Sequence, residues 1–282
     1  MERLVEHVLS GGVTGLFLLG TTGEGPSLSY RLRREFVERV CQRVKGRVSI
    51  LVGITDTAFV ESVNLARHAA EAGAAALVVA PPYYLPESQP ELQEYLTHLL
   101  AELPLPLFLY NMPALTKVSF EAETLRWAMQ QPRIAGVKDS SGNLIYFRRA
   151  IGLLKERPDW ALLMGPEELL ADALLAGGHG GVSGGANIFP RLYLEVFRAA
   201  QARDHVRLGQ LQPVIMHISD TLYRVGRHQS AIIKGIKCAL SCKEICNDFM
   251  AEPFHRFRAE ERARVQECID QIESDLERLG LK

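Results

Sequence analysis

Ile134-Ala135-Gly136-Val137-Lys138-Asp139 is an apolar run that ends on a lysine and an aspartate, with Ser140-Ser141-Gly142 directly after it. A run unbroken by polar residues reads as a strand buried on both faces, the kind from which parallel sheets are made. Six more stretches share that texture, over 13–19, 48–54, 75–80, 105–110, 160–164 and 179–183. Between them lie amphipathic segments of helical spacing, over 28–44, 58–72, 90–103, 120–129, 144–155, 167–175 and 190–202. Strand–helix alternation with short connections predicts an α/β fold with a parallel sheet. Repetition of the unit points to a (β/α)8 TIM barrel rather than an open sheet. A closed barrel needs eight strands, and the sequence supplies seven. The chain opens in a helix, Glu2 to Leu9, and the first strand is apparently missing. A gap in the barrel wall, two unpaired strand edges and lower stability are the expectation. A start placed too far downstream, or a truncated chain, would account for them. Beyond residue 202 the texture is helical without strands, over 203–224, 230–240 and 253–279. The expected organisation is a barrel over 1–202 and a helical C-terminal region over 203–282, packed on the barrel rather than forming an independent domain.

The 282 residues are 47% hydrophobic and 23% charged with mean hydropathy near zero, which suits a globular chain that buries its core without disulfides or metals. Lys and Arg total 32 against 33 Asp and Glu, a net charge of −1, so a global basic field for nucleic acid is excluded. The local cluster Arg31, Arg33 and Arg34 reads as a solvated helix face. No run approaches the roughly 20 apolar residues that span a bilayer, and the charged opening is unlike a secretory signal. Five cysteines, an odd number thinly spread, argue against a disulfide framework and for a reducing cytoplasm. Cys238, Cys242 and Cys246 recur every four residues, which on a helix is one face. Apolar packing and a thiolate metal site both fit that spacing. Without a His or fourth Cys at zinc-finger spacing, packing is the expectation and no metal is.

Active sites of such barrels lie at the C-terminal ends of the strands. There the sequence places Gly20-Thr21-Thr22-Gly23-Glu24-Gly25, Pro81-Pro82-Tyr83-Tyr84, Tyr110-Asn111-Met112-Pro113, Lys138-Asp139-Ser140-Ser141, Gly165-Pro166-Glu167 and Ser183-Gly184-Gly185. A lysine desolvated at the barrel mouth loses its preference for the ammonium form, and the neutral amine attacks a carbonyl to form a Schiff base. The iminium is then an electron sink for a carbanion on the neighbouring carbon. Lys138 is the candidate, and a simple ion pair with Asp139 is the competing reading. Tyr110 ends a strand, where a phenol passes protons or merely closes the core. Tyr84 lies in a turn stiffened by prolines. The glycines of 20–25 let backbone N–H groups converge and two threonines add donors, which suits a carboxylate or phosphate; a tight turn into the next helix fits as well. The loop is neither a Walker loop nor a dinucleotide fingerprint.

In this order and spacing, Gly20-Thr21-Thr22-Gly23-Glu24, Tyr110-Asn111-Met112-Pro113 and Gly136-Val137-Lys138-Asp139 resemble the dihydrodipicolinate synthase/N-acetylneuraminate lyase family over essentially the whole chain. The resemblance implies class I aldolase chemistry on a (β/α)8 barrel, with pyruvate and an aldehyde as the reacting pair. It implies no cofactor beyond a covalent Schiff base on Lys138. It assigns Tyr110 to proton handling, Thr21 and Thr22 to holding the carboxylate and relaying protons, and Tyr84 to a role in a neighbouring subunit's site. Gly20, Val182, Ser183 and Leu115 fall among the substrate-binding positions. A cytoplasmic homotetramer, built as a dimer of dimers, is implied as well.

One position departs from the synthase pattern. The diaminopimelate-pathway synthase carries an arginine two residues after the proline of its Tyr-Asn-x-Pro motif, to grip the second substrate's carboxylate. Here Ala114 and Leu115 follow Pro113, and a leucine makes no bidentate contact. Ala114-Leu115-Thr116 resembles the lyase side of the family, which cleaves sugar acids to pyruvate and an aldehyde. Lys117 stands where many relatives have glycine. The expectation is a lyase or aldolase acting on a 2-oxo sugar-type acid. A dihydrodipicolinate synthase, a Schiff-base dehydratase and a catalytically decayed binding protein are the alternatives.

Overall fold

The computed structural model describes residues 1–281. In chain order its elements begin α1 (Glu2–Ser10), β1 (Gly15–Leu18), α2 (Tyr30–Val44), β2 (Ser49–Gly53), α3 (Phe59–Ala72), β3 (Ala76–Val79), α4 (Gln89–Glu102), β4 (Leu107–Asn111), α5 (Pro113–Thr116) and α6 (Ala122–Met129). They continue with β5 (Ile134–Asp139), α7 (Leu144–Leu153), β6 (Ala161–Met164), α8 (Leu170–Leu175), β7 (Gly180–Gly181), α9 (Pro190–Gln201), α10 (His205–Asp220), α11 (Ala231–Cys242) and α12 (Ala259–Arg278). Two compact units result. Thr14–Val182 holds all seven strands with α2–α8, whereas Met1–Val13 and the chain from Ser183 onward hold α1 and α9–α12.

The strands form one parallel sheet in sequential order, β1 through β7. Every predicted strand is present, none displaced by more than a residue or two. Register fixes which side chains share a face: Phe17 pairs with Leu51, Val78 with Phe108, Tyr110 with Lys138, and Lys138 with Leu163. The opposite, helix-facing side carries Val52, Leu77, Leu107, Leu109, Val137 and Leu162, all fully buried. At about 25 cal/mol per Å² of apolar surface removed from water, each such side chain contributes roughly 2 kcal/mol. Phe17, Leu51 and Phe108, on the inner face, are only partly buried. Among the described residues β1 pairs only with β2 and β7 only with β6, so the sheet has two free edges, as its seven-strand count predicts.

Three sequence expectations need correction. The helix predicted from Pro253 begins only at Ala259, where the Arg258 backbone N–H donates to the Glu261 carboxylate at 2.8 Å, the glutamate half of a capping box. The short helix α5 lies outside every predicted helix; Pro113 at its first turn starts it. Cys246 lies beyond the end of α11, so only Cys238 and Cys242 share a helix face, and no metal-holding cluster occurs among the described residues.

A buried ion pair secures the loop that follows β1. The Arg33 guanidinium donates to Asp56 at 2.8 Å, to Leu28 O at 3.0 Å and to Pro26 O at 3.1 Å, while Asp56 also accepts the Ala58 N–H. Both side chains are under a tenth exposed. Removing one partner of such a pair strands the other in low dielectric, at about 3–5 kcal/mol. Arg31, by contrast, pairs with Glu35 in the open and contributes about 0–1 kcal/mol. In calorimetry Arg33→Ala should therefore lower Tm by roughly 10 °C and Arg31→Ala by no more than about 2 °C. Equal shifts would mean that the pair does not anchor this loop.

Candidate active site

Strand parity decides what β5 offers to each side. Lys138 points with Tyr110 to the inner face, and Asp139 points with Asn111 to the helix side. There Asp139 accepts from Asn111 Nδ2 at 2.8 Å, from Ser141 N at 3.0 Å and from Ser141 Oγ at 3.1 Å. The ion-pair reading of Lys138 is thus excluded, because the neighbouring carboxylate is committed on the opposite face. Instead the Lys138 Nζ lies 4.1 Å from the centroid of the Tyr110 ring and 4.9 Å from that of Phe17. Phe17 meets Tyr110 edge to face, with centroids 5.9 Å apart. Two aromatic faces and a strand end therefore enclose the amine, which is 8% exposed.

Burial lowers the pKa of Lys138 from its ordinary value, and the hydrogen-bonded Tyr110 phenol draws it partly back up. For Tyr110 burial acts upward. The adjacent Lys138 ammonium, together with hydrogen bonds involving Thr21, Ser140 and Lys138, outweighs it and holds the phenol below its ordinary range. The Thr21 and Tyr110 hydroxyls are 3.2 Å apart. An amine that gives up its proton readily thus faces a phenol that does the same, with two hydroxyls on the phenol. This constellation can form a Schiff base and move protons beside it.

The Thr21 loop is held by its own backbone. Glu24 N donates to Thr21 O and Gly25 N to Gly20 O, while Leu19 and Glu24 adopt left-handed φ of 59° and 52°. Gly25 is required here, since a Cβ would sit 2.1 Å from Leu19 O. Across the site, a Cβ on Gly165 would stand 1.9 Å from Ser140 Oγ, so this glycine clears the room that Ser140 occupies beside Tyr110.

Of the expected site residues, Lys138, Tyr110 and Thr21 come together. Thr22 and Gly20 flank Thr21, both partly buried. The Val182 N–H donates to Met164 O at 2.8 Å, continuing the β7 pairing. Ser183 begins the helical unit. Tyr84, on the 81–88 loop, is 82% exposed, and Leu115 on α5 is 44% exposed. The Lys117 ammonium donates back to Ala114 O at 3.0 Å. Two participants escaped sequence reasoning: Ser140 and Phe17. Parity was the available signal for Ser140, which stands two residues after Lys138.

Comparison with known proteins gives this geometry its context. The model of the dihydrodipicolinate synthetase family matches residues 1–272. A solved dihydrodipicolinate synthase from Bacteroides thetaiotaomicron is 50% identical, with a TM-score of 0.93 over 96% of this chain and 91% of its own. A prophage protein of the same family from Escherichia coli K12, solved in complex with pyruvate, is 26% identical, with a TM-score of 0.91 over 96% of this chain and 91% of its own. A probable 2-dehydro-3-deoxy-D-pentonate aldolase of Escherichia coli K12 is 30% identical, over 86% of this chain and 80% of that protein. The chain therefore belongs to the dihydrodipicolinate synthetase family, lyases of TIM-barrel fold that act on pyruvate through a Schiff base on lysine and need no further cofactor.

Proposed function

We propose that Lys138 is the Schiff-base lysine of this chain and that the enzyme cleaves, or in reverse forms, a 2-oxo sugar-type acid to give pyruvate and an aldehyde. The neutral amine adds to the C2 carbonyl, and loss of water gives the iminium. Tyr110, aligned by Thr21, takes the proton of the C4 hydroxyl. The C3–C4 bond breaks, its electrons enter the iminium as an enamine, and the aldehyde leaves. Return of the proton to C3 and hydrolysis of the imine release pyruvate and restore the amine.

The observation that carries the sugar-acid reading is Leu115. An exposed leucine stands where the synthase's carboxylate-gripping arginine is expected, and the exposed Lys117 ammonium, which donates to Ala114 O, offers a point charge rather than a bidentate fork. The pentonate aldolase relative supports the same reading. Identity of 50% to a protein named dihydrodipicolinate synthase favours a second one, condensation of pyruvate with aspartate semialdehyde. We also propose that the exposed Tyr84 acts in a neighbouring subunit of a homotetramer, and that the enzyme is cytoplasmic, a reading that five free cysteines support. Light scattering tests the first: a monomer would remove that role for Tyr84.

Borohydride trapping with pyruvate, followed by peptide mass mapping, should place the adduct on Lys138, and Lys138→Ala should lose it. Because burial lowers the lysine pKa, the neutral amine becomes more abundant as pH rises. The trapping rate should climb to a plateau with its midpoint below the ordinary value of 10.5. Tyr110→Phe removes the group that holds that pKa up, so the midpoint should fall further while the rate drops by about 10²–10⁴. A midpoint that rises instead contradicts this assignment.

Substrate choice has its own test. Wild type should cleave 2-oxo-3-deoxy sugar acids faster than it condenses pyruvate with aspartate semialdehyde. Leu115→Arg should lower the KM for the semialdehyde by roughly tenfold or more, the worth of a charge-assisted contact. Rapid wild-type condensation with the semialdehyde would transfer the assignment to the synthase.

A further inference from the structure

We propose that Asn111 and Asp139 are positioning residues, a buried hydrogen-bonded latch on the helix side of β4 and β5 that holds Tyr110 and Lys138 on a common rung. The proposal rests on Lys138 being the imine-forming lysine. Tyr110 and Lys138 are register partners, and the very next rung pairs Asn111 with Asp139. Neither latch residue is exposed at all. Both side chains are hydrogen-bonded on the buried side of the sheet. Asn111 Nδ2 donates to Asp139 Oδ1, Asn111 Oδ1 accepts the Phe120 N–H at 3.1 Å, the Ser141 N–H also donates to Asp139 Oδ1 and the Ser141 hydroxyl to Oδ2. A main-chain bond from Ser140 N to Asn111 O, at 2.7 Å, closes the same rung.

This sheet needs such a device here. The β4–β5 ladder carries a register shift between Leu107 and Phe108, and two pairs, Phe108 with Gly136 and Leu109 with Val137, separate it from the Tyr110–Lys138 rung. Pairing at the base of the strands therefore does not impose the register at their top. An apolar pair would be easier to bury than a carboxylate with three donors, but it would not select one rung. Asp139 faces away from the substrate side and acts through its neighbours, by geometry rather than charge.

The test compares Asn111→Ala, Asp139→Ala, Asp139→Asn, Tyr110→Phe, the Tyr110→Phe/Asn111→Ala double variant and Trp160→Phe. Trp160 serves as the structural control, because its indole N–H bonds Ile134 O at the opposite end of the same strand. Each is scored for Tm and for the rate of borohydride-trapped pyruvate adduct per folded molecule, across pH. Asn111→Ala should slow trapping by about 10- to 100-fold and move the pH midpoint downward, as Tyr110→Phe does. In the double variant the penalty should not multiply, staying within about twofold of Tyr110→Phe alone. Asp139→Asn keeps the oxygen that both N–H donors reach and should recover at least about tenfold over Asp139→Ala. Trp160→Phe should lower Tm without changing rate or midpoint. If Asn111→Ala does not fold, Asn111→Ser, too short to reach Asp139, is read in its place. A rate and pH profile like those of Trp160→Phe, or a multiplied penalty in the double variant, would overturn the latch while leaving Lys138 in its role. Absence of any adduct in wild type would overturn the lysine assignment itself.

Discussion

A lysine amine is a nucleophile only when its proton is easy to lose, and the site is arranged around that constraint. Burying an unpaired ammonium is costly enough that the group neutralises instead. Among the described residues no carboxylate pairs with Lys138; it has the rings of Phe17 and Tyr110 and the hydroxyl of Tyr110. The rings favour the cation weakly, and burial disfavours it strongly. The phenol adjusts the balance, since whichever of the two groups holds the proton, the other feels it. Thr21 and Ser140 keep that phenol aligned with the amine.

The same arrangement explains how an open-edged sheet supports a site drawn from distant strands. Thr21 and Phe17 belong to β1 and the loop after it, at a free edge, whereas Tyr110 and Lys138 lie on β4 and β5. Ladder hydrogen bonds hold β1 only through β2. Side-chain contacts cross the inner face directly: the edge-to-face packing of Phe17 on Tyr110, the Lys138 ammonium over the Phe17 ring and the hydroxyl bond between Thr21 and Tyr110. The Arg33–Asp56 pair fixes the far side of the loop. The β1 end of the site is thus set by side chains where the ladder runs out. It is the region most sensitive to substitution of an aromatic or a hydroxyl.

Much of this was legible in the sequence, because the physics that makes strands buried on both faces also makes them conspicuous. All seven runs became strands of a single parallel sheet. Lys138, Tyr110 and Thr21 were found for a related reason: polar groups that end apolar runs stand at strand ends. What stayed hidden depended on direction. The two readings of Lys138 differed only in whether Asp139 shared its face, and strand parity answers that once the strand is known to run through Asp139. The start of α12 was misplaced because Arg258 is not a capping residue; the helix start is marked by the Glu261 carboxylate reaching back to the Arg258 N–H, which composition does not reveal. Tyr84 matched a motif, yet the fold leaves it largely in solvent, so any role it has requires something beyond its own chain.

The turn after β4 brings these themes to substrate choice. Pro113 starts a single helical turn that Lys117 ends in the left-handed region, with φ of 64°. A lysine held there costs about 1–2 kcal/mol relative to ordinary backbone. Its ammonium returns part of that by donating to Ala114 O, while the Thr116 hydroxyl bonds Met112 O and Val118 O. The turn uses the Thr116 hydroxyl and one donor of the Lys117 ammonium, and presents Leu115 outward. A carboxylate docking there would meet the exposed point charge of Lys117 but no planar fork to hold both its oxygens. Hydroxyls carry a far smaller desolvation penalty and can keep a water as partner. This difference in desolvation, rather than any feature of the Schiff-base machinery, is the physical basis for proposing a polyhydroxylated acid over a dicarboxylate product.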